Sequence, residues 1–144
     1  MRRIGMLLAD LFDEREFIYP YYRVLEAGFS PLVIGLEAGE LHGLLIPGGF
    51  APDYLRRSPE VLALVRGMGE AHKPIGAICH GPWLLISAGL ARGRKVTGFF
   101  SIRDDLVNAG GLYQEAGVVV DGNLVTAQGP KDLPAFMAAF LRLL

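Results

Sequence analysis

The sequence predicts an α/β fold: a mostly parallel sheet, doubly wound with helices on both faces, with a strand, a sharp turn and a helix at its centre. Three observations carry the prediction. Short apolar runs, Ile4 to Ala9, Leu44 to Ile46 and Ile75 to Ile78, read as strands buried on both faces. The segments between them carry apolar residues at helical spacing, so the chain opens as a βαβ unit, which favours parallel pairing. Finally, Ala77-Ile78-Cys79-His80-Gly81 has the layout of a nucleophile elbow, with Ala in place of the first Gly and Cys in place of Ser.

In chain order, Ile4 to Ala9 is the first strand and Asp10-Leu11-Phe12-Asp13 the turn after it. Glu14 to Ala27 carries Phe17, Ile18, Tyr21, Val24 and Leu25 at helical spacing, with Gly28 as its C-cap. Pro20 inside that pattern predicts a kink near Phe17. Leu32 to Gly35 is the second strand, and Glu37-Ala38-Gly39-Glu40 a polar turn. Leu41 to Pro47 holds the next strand, which ends at Pro47-Gly48-Gly49; paired glycines permit backbone geometry closed to other residues and leave N–H groups facing outward. Ser58-Pro59-Glu60 combines a capping side chain, a proline at the first helical position and an acid in the first turn. The helix it starts runs to about His72, with Val61, Leu62, Val65 and Met68 as its apolar face.

After the elbow, Trp83 to Leu90 is an apolar helix, Lys95 to Thr97 a short strand, and Ser101 to Asn108 a short helix closed by Gly110-Gly111. Val118-Val119-Val120 and Leu124-Val125-Thr126 flank Asp121-Gly122-Asn123, a hairpin with an Asp-Gly turn. Pro130-Lys131-Asp132-Leu133 begins the last helix, whose Leu133, Phe136, Met137, Phe140, Leu141 and Leu144 form a core-facing stripe.

The 144 residues predict one domain, 1–144, with a proper core. Hydrophobic residues make up 51% and charged residues 20%, as in a compact globular protein. A net charge of −1 points to neither nucleic acid nor an anionic membrane surface as partner. The single cysteine excludes an intrachain disulfide framework, and a reducing, cytoplasmic setting is expected. The basic start, Met1-Arg2-Arg3, precedes an apolar run that stops at Asp10, too short for a signal segment, and no stretch is long enough to span a bilayer. His42 and His72 are distant from each other and from Cys79, so neither a metal site nor a cofactor is expected.

At the elbow, the small residues Ala77 and Gly81 let strand and helix approach closely, so Cys79 is held in a strained turn at the strand's carboxyl end. Backbone N–H groups and the helix dipole are expected to favour thiolate over thiol there. A lone cysteine is ordinarily an inert buried residue; the flanking Gly, His, Gly and Pro point instead to a functional thiol. In a doubly wound sheet the same edge receives the loop after the first strand, with its acids Asp13, Glu14 and Glu16. Each acid alone reads as a solvated helix-start charge; beside a thiol, a protonated Glu donates a hydrogen bond and an ionised one relays a proton. The N–H groups of Gly49 and His80 are the candidate oxyanion donors.

Glu16-Phe17-Ile18-Tyr19-Pro20-Tyr21, Leu45-Ile46-Pro47-Gly48-Gly49, Ile78-Cys79-His80-Gly81-Pro82, Arg92-Gly93-Arg94-Lys95, Asp104-Asp105 and Val119-Val120-Asp121-Gly122-Asn123 together resemble the PfpI/ThiJ family. They follow in that family's order over nearly the whole chain, and the elbow is the specific motif among them. The resemblance implies a flavodoxin-like sandwich, a homo-oligomer of two or more copies, and activity as a cysteine peptidase, a glyoxalase III or deglycase acting on small reactive carbonyls, or a stress-linked chaperone. Carried over by position, Cys79 is the nucleophile, Glu16 the acid beside it, His80 a general base, and Asp53 the acid that reaches His80 from a neighbouring subunit.

Three departures qualify it: Asp53 is one methylene shorter than the family's usual Glu, Phe99 replaces a Tyr near the nucleophile, and a strand pair that relatives insert is missing near residues 37–42. No histidine follows His80, which counts against the related glutamine amidotransferase chemistry. Two function classes follow. One is a thiol enzyme acting on a small carbonyl or peptide substrate through Cys79; the other is a non-enzymatic redox-sensing or chaperone-like protein whose Cys79 oxidises reversibly.

Overall fold

The computed structural model describes residues 1–9, 11–34 and 41–144. In order, the elements are β1 (Arg3–Leu7), α1 (Glu14–Glu26), β2 (Ser30–Ile34), β3 (Gly43–Ile46), α2 (Ala51–Leu55), α3 (Pro59–Glu70), β4 (Ile75–Ile78), α4 (Pro82–Ser87), β5 (Lys95–Val96), α5 (Arg103–Asn108), β6 (Leu112–Tyr113), β7 (Val118–Asp121), β8 (Leu124–Ala127) and α6 (Leu133–Leu141). Asp10, the end of the second strand at Gly35, the turn Glu37-Ala38-Gly39-Glu40 and most of the place where a strand pair is missing lie outside the described residues.

Six strands form one sheet in the order β2-β1-β3-β4-β8-β7. All neighbours run parallel except β7 and β8, the hairpin at one edge. Alternation along the central strands sends side chains to two cores, which is why these strands read as continuous apolar runs. Leu44, Ile46, Ile75 and Ala77 face α3, α4 and α5 through Val61, Val65, Leu84, Leu85 and Leu106. Leu45, Ile78, Val125 and Ala127 face the other layer, where Val24 of α1 and Phe136, Met137 and Phe140 of α6 pack. The predicted mostly parallel, doubly wound sandwich is therefore the observed one. Among the described residues no helix is long and apolar enough to cross a membrane.

Helix starts follow the local chemistry. Asp13 caps α1 by accepting from the Arg15 N–H, and Ser58 caps α3 by accepting from the Val61 N–H at 3.3 Å. Helix α1 runs unbroken through Pro20. The extended Pro31 is tolerated because β2 is an edge strand, needing hydrogen bonds on one side only.

Two elements differ from expectation, and two more leave no mark in the sequence. The inward face of α1 is Glu16, Pro20 and Val24, spaced by four, whereas Ile18 and Leu25 are exposed. The hairpin loop is Gly122-Asn123 rather than Asp121-Gly122, because the Asp121 carboxylate accepts from the Lys95 N–H at 2.7 Å and so keeps its residue in β7. Gly122, at φ +55°, takes the first loop position, as in a type II′ turn. The expected short strand is β5, but short helix α2 and strand β6, which pairs with it, carry too few residues to leave a periodic signal.

Candidate active site

Adjacency of β1, β3 and β4 brings three carboxyl-end loops together: the one entering α1, the Pro47-Gly48-Gly49 turn and the elbow. Cys79 has φ +60°, the strained left-handed backbone the elbow requires, and its conformation is fixed on both sides. Its N–H donates to the Ala127 carbonyl at 2.9 Å, and its carbonyl accepts from the Phe99 N–H at 2.9 Å. Thus the segment containing Phe99 is tied directly to the cysteine.

Glu16 enters from α1 and is 2% exposed. Its Oε2 accepts from the Gly48 N–H at 2.6 Å, while Oε1 has no hydrogen-bond partner among the described residues. Only glycine fits the facing turn: a Cβ on Gly48 would lie 2.6 Å from Glu16 Oε2 and 2.7 Å from Cys79 Cβ. Gly49, at φ +69°, would bring a Cβ within 2.5 Å of the Leu11 carbonyl oxygen. The turn therefore packs backbone against both the acid and the thiol. Asp13 contributes less directly: it caps α1, pairs with Arg15, and its charge acts on Glu16 and Cys79 from a short distance.

The electrostatics follow from burial. Desolvation pushes the Glu16 carboxyl up to about 7; the Gly48 hydrogen bond opposes this, the Asp13 charge adds to it, and a hydrogen bond with Cys79 opposes it. Burial also pushes the Cys79 thiol up to about 12, and the Glu16 charge adds to it, against hydrogen bonds from the Gly49 and His80 N–H groups. The expectation of a thiol lowered by the helix dipole is corrected. Cys79 is only 9% exposed and beside an acid, and α4, with 6 residues, supplies too little dipole to offset that.

His80 Nδ1 lies 3.3 Å from Cys79 Sγ, so the predicted base reaches the predicted nucleophile. Its Nε2 lies 3.2 Å from Ser101 Oγ. Trp83 meets the imidazole edge-on at 5.0 Å, and Phe99 lies tilted against it at 5.2 Å. Phe99 therefore packs the ring in place of the hydroxyl a Tyr would bring. Burial lowers the imidazole pKa and the Asp105 charge raises it; Asp105 itself accepts from Trp83 Nε1 at 2.8 Å.

Asp53 is not brought to His80 within the chain; its carboxylate pairs with Arg57 on the exposed side of α2. The partner seen at His80 is Ser101, which sequence reading missed because a serine starting a short helix, 21 residues along the chain, carries no local mark of contact. Beyond Phe99 the surface opens into a cavity of about 360 Å³ lined by Arg15, Phe99, Phe100, Glu115, Gln128 and Lys131, among others, which adjoins the reactive turn without including Cys79. Among the described residues, no three His, Cys, Asp or Glu side chains gather where they could hold a metal ion.

Known proteins resemble this chain in sequence and fold. The model of the DJ-1/PfpI family matches residues 36–143. Deglycase PH1704 of Pyrococcus horikoshii is 38% identical over 164 aligned positions, 99% of each chain, and putative cysteine protease YraA of Bacillus subtilis is 40% identical over 99% of this chain and 98% of its own. The aligned span exceeds the 144 residues present, in keeping with a shortened chain. A two-domain protein of Anabaena variabilis with DJ-1/ThiJ/PfpI-like and ferritin-like domains superposes with TM-score 0.94 at 34% identity, covering 99% of this chain and 48% of that one.

Proposed function

The chain belongs to the DJ-1/PfpI family, and from that membership we propose that it is a cysteine-dependent enzyme acting on small reactive carbonyls, of the deglycase or glyoxalase III type, with Cys79 as nucleophile. The observation that carries this is the 3.3 Å approach of His80 Nδ1 to Cys79 Sγ. A thiol held high by burial is not a preformed thiolate, so it needs a base at the moment of attack, and that contact supports giving the role to His80.

With an α-ketoaldehyde, Sγ bonds to the aldehyde carbon as its proton passes to Nδ1 and the carbonyl electrons move to oxygen. The N–H groups of Gly49 and His80 are the donors proposed for that oxyanion, and His80 returns its proton to give a hemithioacetal. Glu16, titrating at about 7, moves the proton from the former aldehyde carbon to its neighbour, leaving a thioester. Water then breaks the C–S bond, releasing the hydroxy acid and the thiol. With a glycated amine the thiol displaces the amine, which leaves carrying the proton. The overall change adds water and requires no oxidant.

The deglycase named among the relatives supports this substrate class, and the name putative cysteine protease YraA supports a second reading, attack by the same thiol on a peptide. The redox-sensing alternative is disfavoured because oxidation follows thiolate character, which burial suppresses here. A homo-oligomer is proposed on the exposed Ile18, Tyr22 and Leu25 of α1, and a cytoplasmic setting on the single cysteine. The test is lactate formation from methylglyoxal beside fluorophore release from a peptide. Lactate that disappears in Cys79→Ala supports the proposal; activity no greater than that of Cys79→Ala in both assays overturns it.

A further inference from the structure

We infer that Ser101 is the positioning residue that orients His80, acting within the chain in the place that resemblance assigns to Asp53 of a neighbouring subunit. The imidazole is bridged, with Nδ1 at 3.3 Å from Cys79 Sγ and Nε2 at 3.2 Å from Ser101 Oγ. Turning the ring over loses both contacts, and Trp83 and Phe99 pack against it. Ser101 sits in the tight turn Phe100–Ile102, anchored at one end by the Phe99 N–H donating to the Cys79 carbonyl at 2.9 Å and at the other by the fully buried Ile102. The hydroxyl is therefore presented by backbone tied to the same residue whose thiol the imidazole serves. Within the chain, Asp53 pairs with Arg57 on the exposed side of α2 and does not meet His80.

The consequence concerns the tautomer. Nδ1 can take the thiol proton only when it is bare, so the proton of the neutral ring must be on Nε2, donated to Ser101 Oγ. After the transfer both nitrogens carry protons and Nε2–H still donates to the same oxygen. One hydroxyl thus serves both states without moving. With the protonated thiol donating to Nδ1, the hydroxyl is left to accept from Nε2–H, and being neutral it stabilises imidazolium less than a carboxylate would. His80, whose pKa burial already lowers, then passes its proton on readily; Asp105 is the charged group that acts on the ring.

This role rests on His80 serving Cys79 as in the proposed mechanism, so the test reads the ring and the thiol directly as well as turnover. In Ser101→Ala, Ser101→Thr and wild type, the ¹⁵N shifts of the His80 ring, the iodoacetamide alkylation rate of Cys79 against pH, and lactate formation from methylglyoxal are measured. We expect the wild-type ring to carry its proton on Nε2 at about pH 8, above the ordinary imidazole pKa. Ser101→Ala should give a tautomer mixture and about fivefold slower alkylation, the equivalent of one hydrogen bond, with kcat reduced and KM kept. Ser101→Thr should restore all three. A wild-type tautomer and alkylation profile in Ser101→Ala overturns the inference, as does a tautomer change in Asp53→Asn instead. If ring and thiol respond to Ser101 as expected while no lactate forms, the positioning role stands and the proposed substrate class fails.

Discussion

Glu16 places a buried carboxyl group against the Cys79 thiol, held there by the Gly48 N–H at 2.6 Å from Oε2. Its charge adds to the burial that pushes the thiol up, so the state of one group sets the nucleophilicity of the other.

Stability should report the acid. Folding raises the Glu16 pKa from an ordinary 4.5 to about 7, so the native state binds more protons than the unfolded chain between those values. The stability is fully present below about 4.5 and is lost as pH rises through 7. The loss is on the order of 3 kcal/mol by linkage. Urea unfolding at acid and alkaline pH should show this decline in wild type and its absence in Glu16→Gln. An equal decline in both would place the titrating group elsewhere.

The thiol should report the same pair. Because the Glu16 charge raises the Cys79 pKa, Glu16→Gln should make the thiolate easier to form and speed alkylation at mildly alkaline pH. Wild-type alkylation should keep rising toward the high value that burial imposes, with no plateau near the value of free cysteine. A plateau there would show that the thiol is not desolvated.

Two glycines with positive φ separate strain from space. At Gly28, φ +78°, an added Cβ meets nothing within 4 Å among the described residues, whereas at Gly49 it meets the Leu11 carbonyl oxygen at 2.5 Å and the Asp13 N at 2.6 Å. Gly28→Ala should cost about 1 kcal/mol, the left-handed backbone penalty alone. Gly49→Ala should cost at least about twice that and also abolish activity, because it displaces the loop that leads Glu16 into the site. Equal losses of stability in the two variants would mean that the Gly49 turn yields.

Strong local signals made much of the site legible. Cys79 was marked by small neighbours on both sides and a proline after them, and Gly48-Gly49 by ending an apolar run. Glu16 was legible as a candidate, and its burial follows once Pro20 and Val24 are recognised as its partners at spacing four. The apolar count along α1 pointed instead to Ile18 and Leu25, since a pattern of hydrophobic residues cannot tell the core face from an exposed apolar one.

The sequence by itself marked the buried strands, the elbow, the hairpin and the single thiol, because each signal lies in residues a few positions apart. Tertiary structure decided that Ser101 rather than Asp53 meets His80 within the chain, and that burial beside Glu16 raises the thiol rather than lowering it. Both depend on which distant residues share one small volume and how much water that volume excludes. Those are properties of packing, and periodicity along the chain does not carry them.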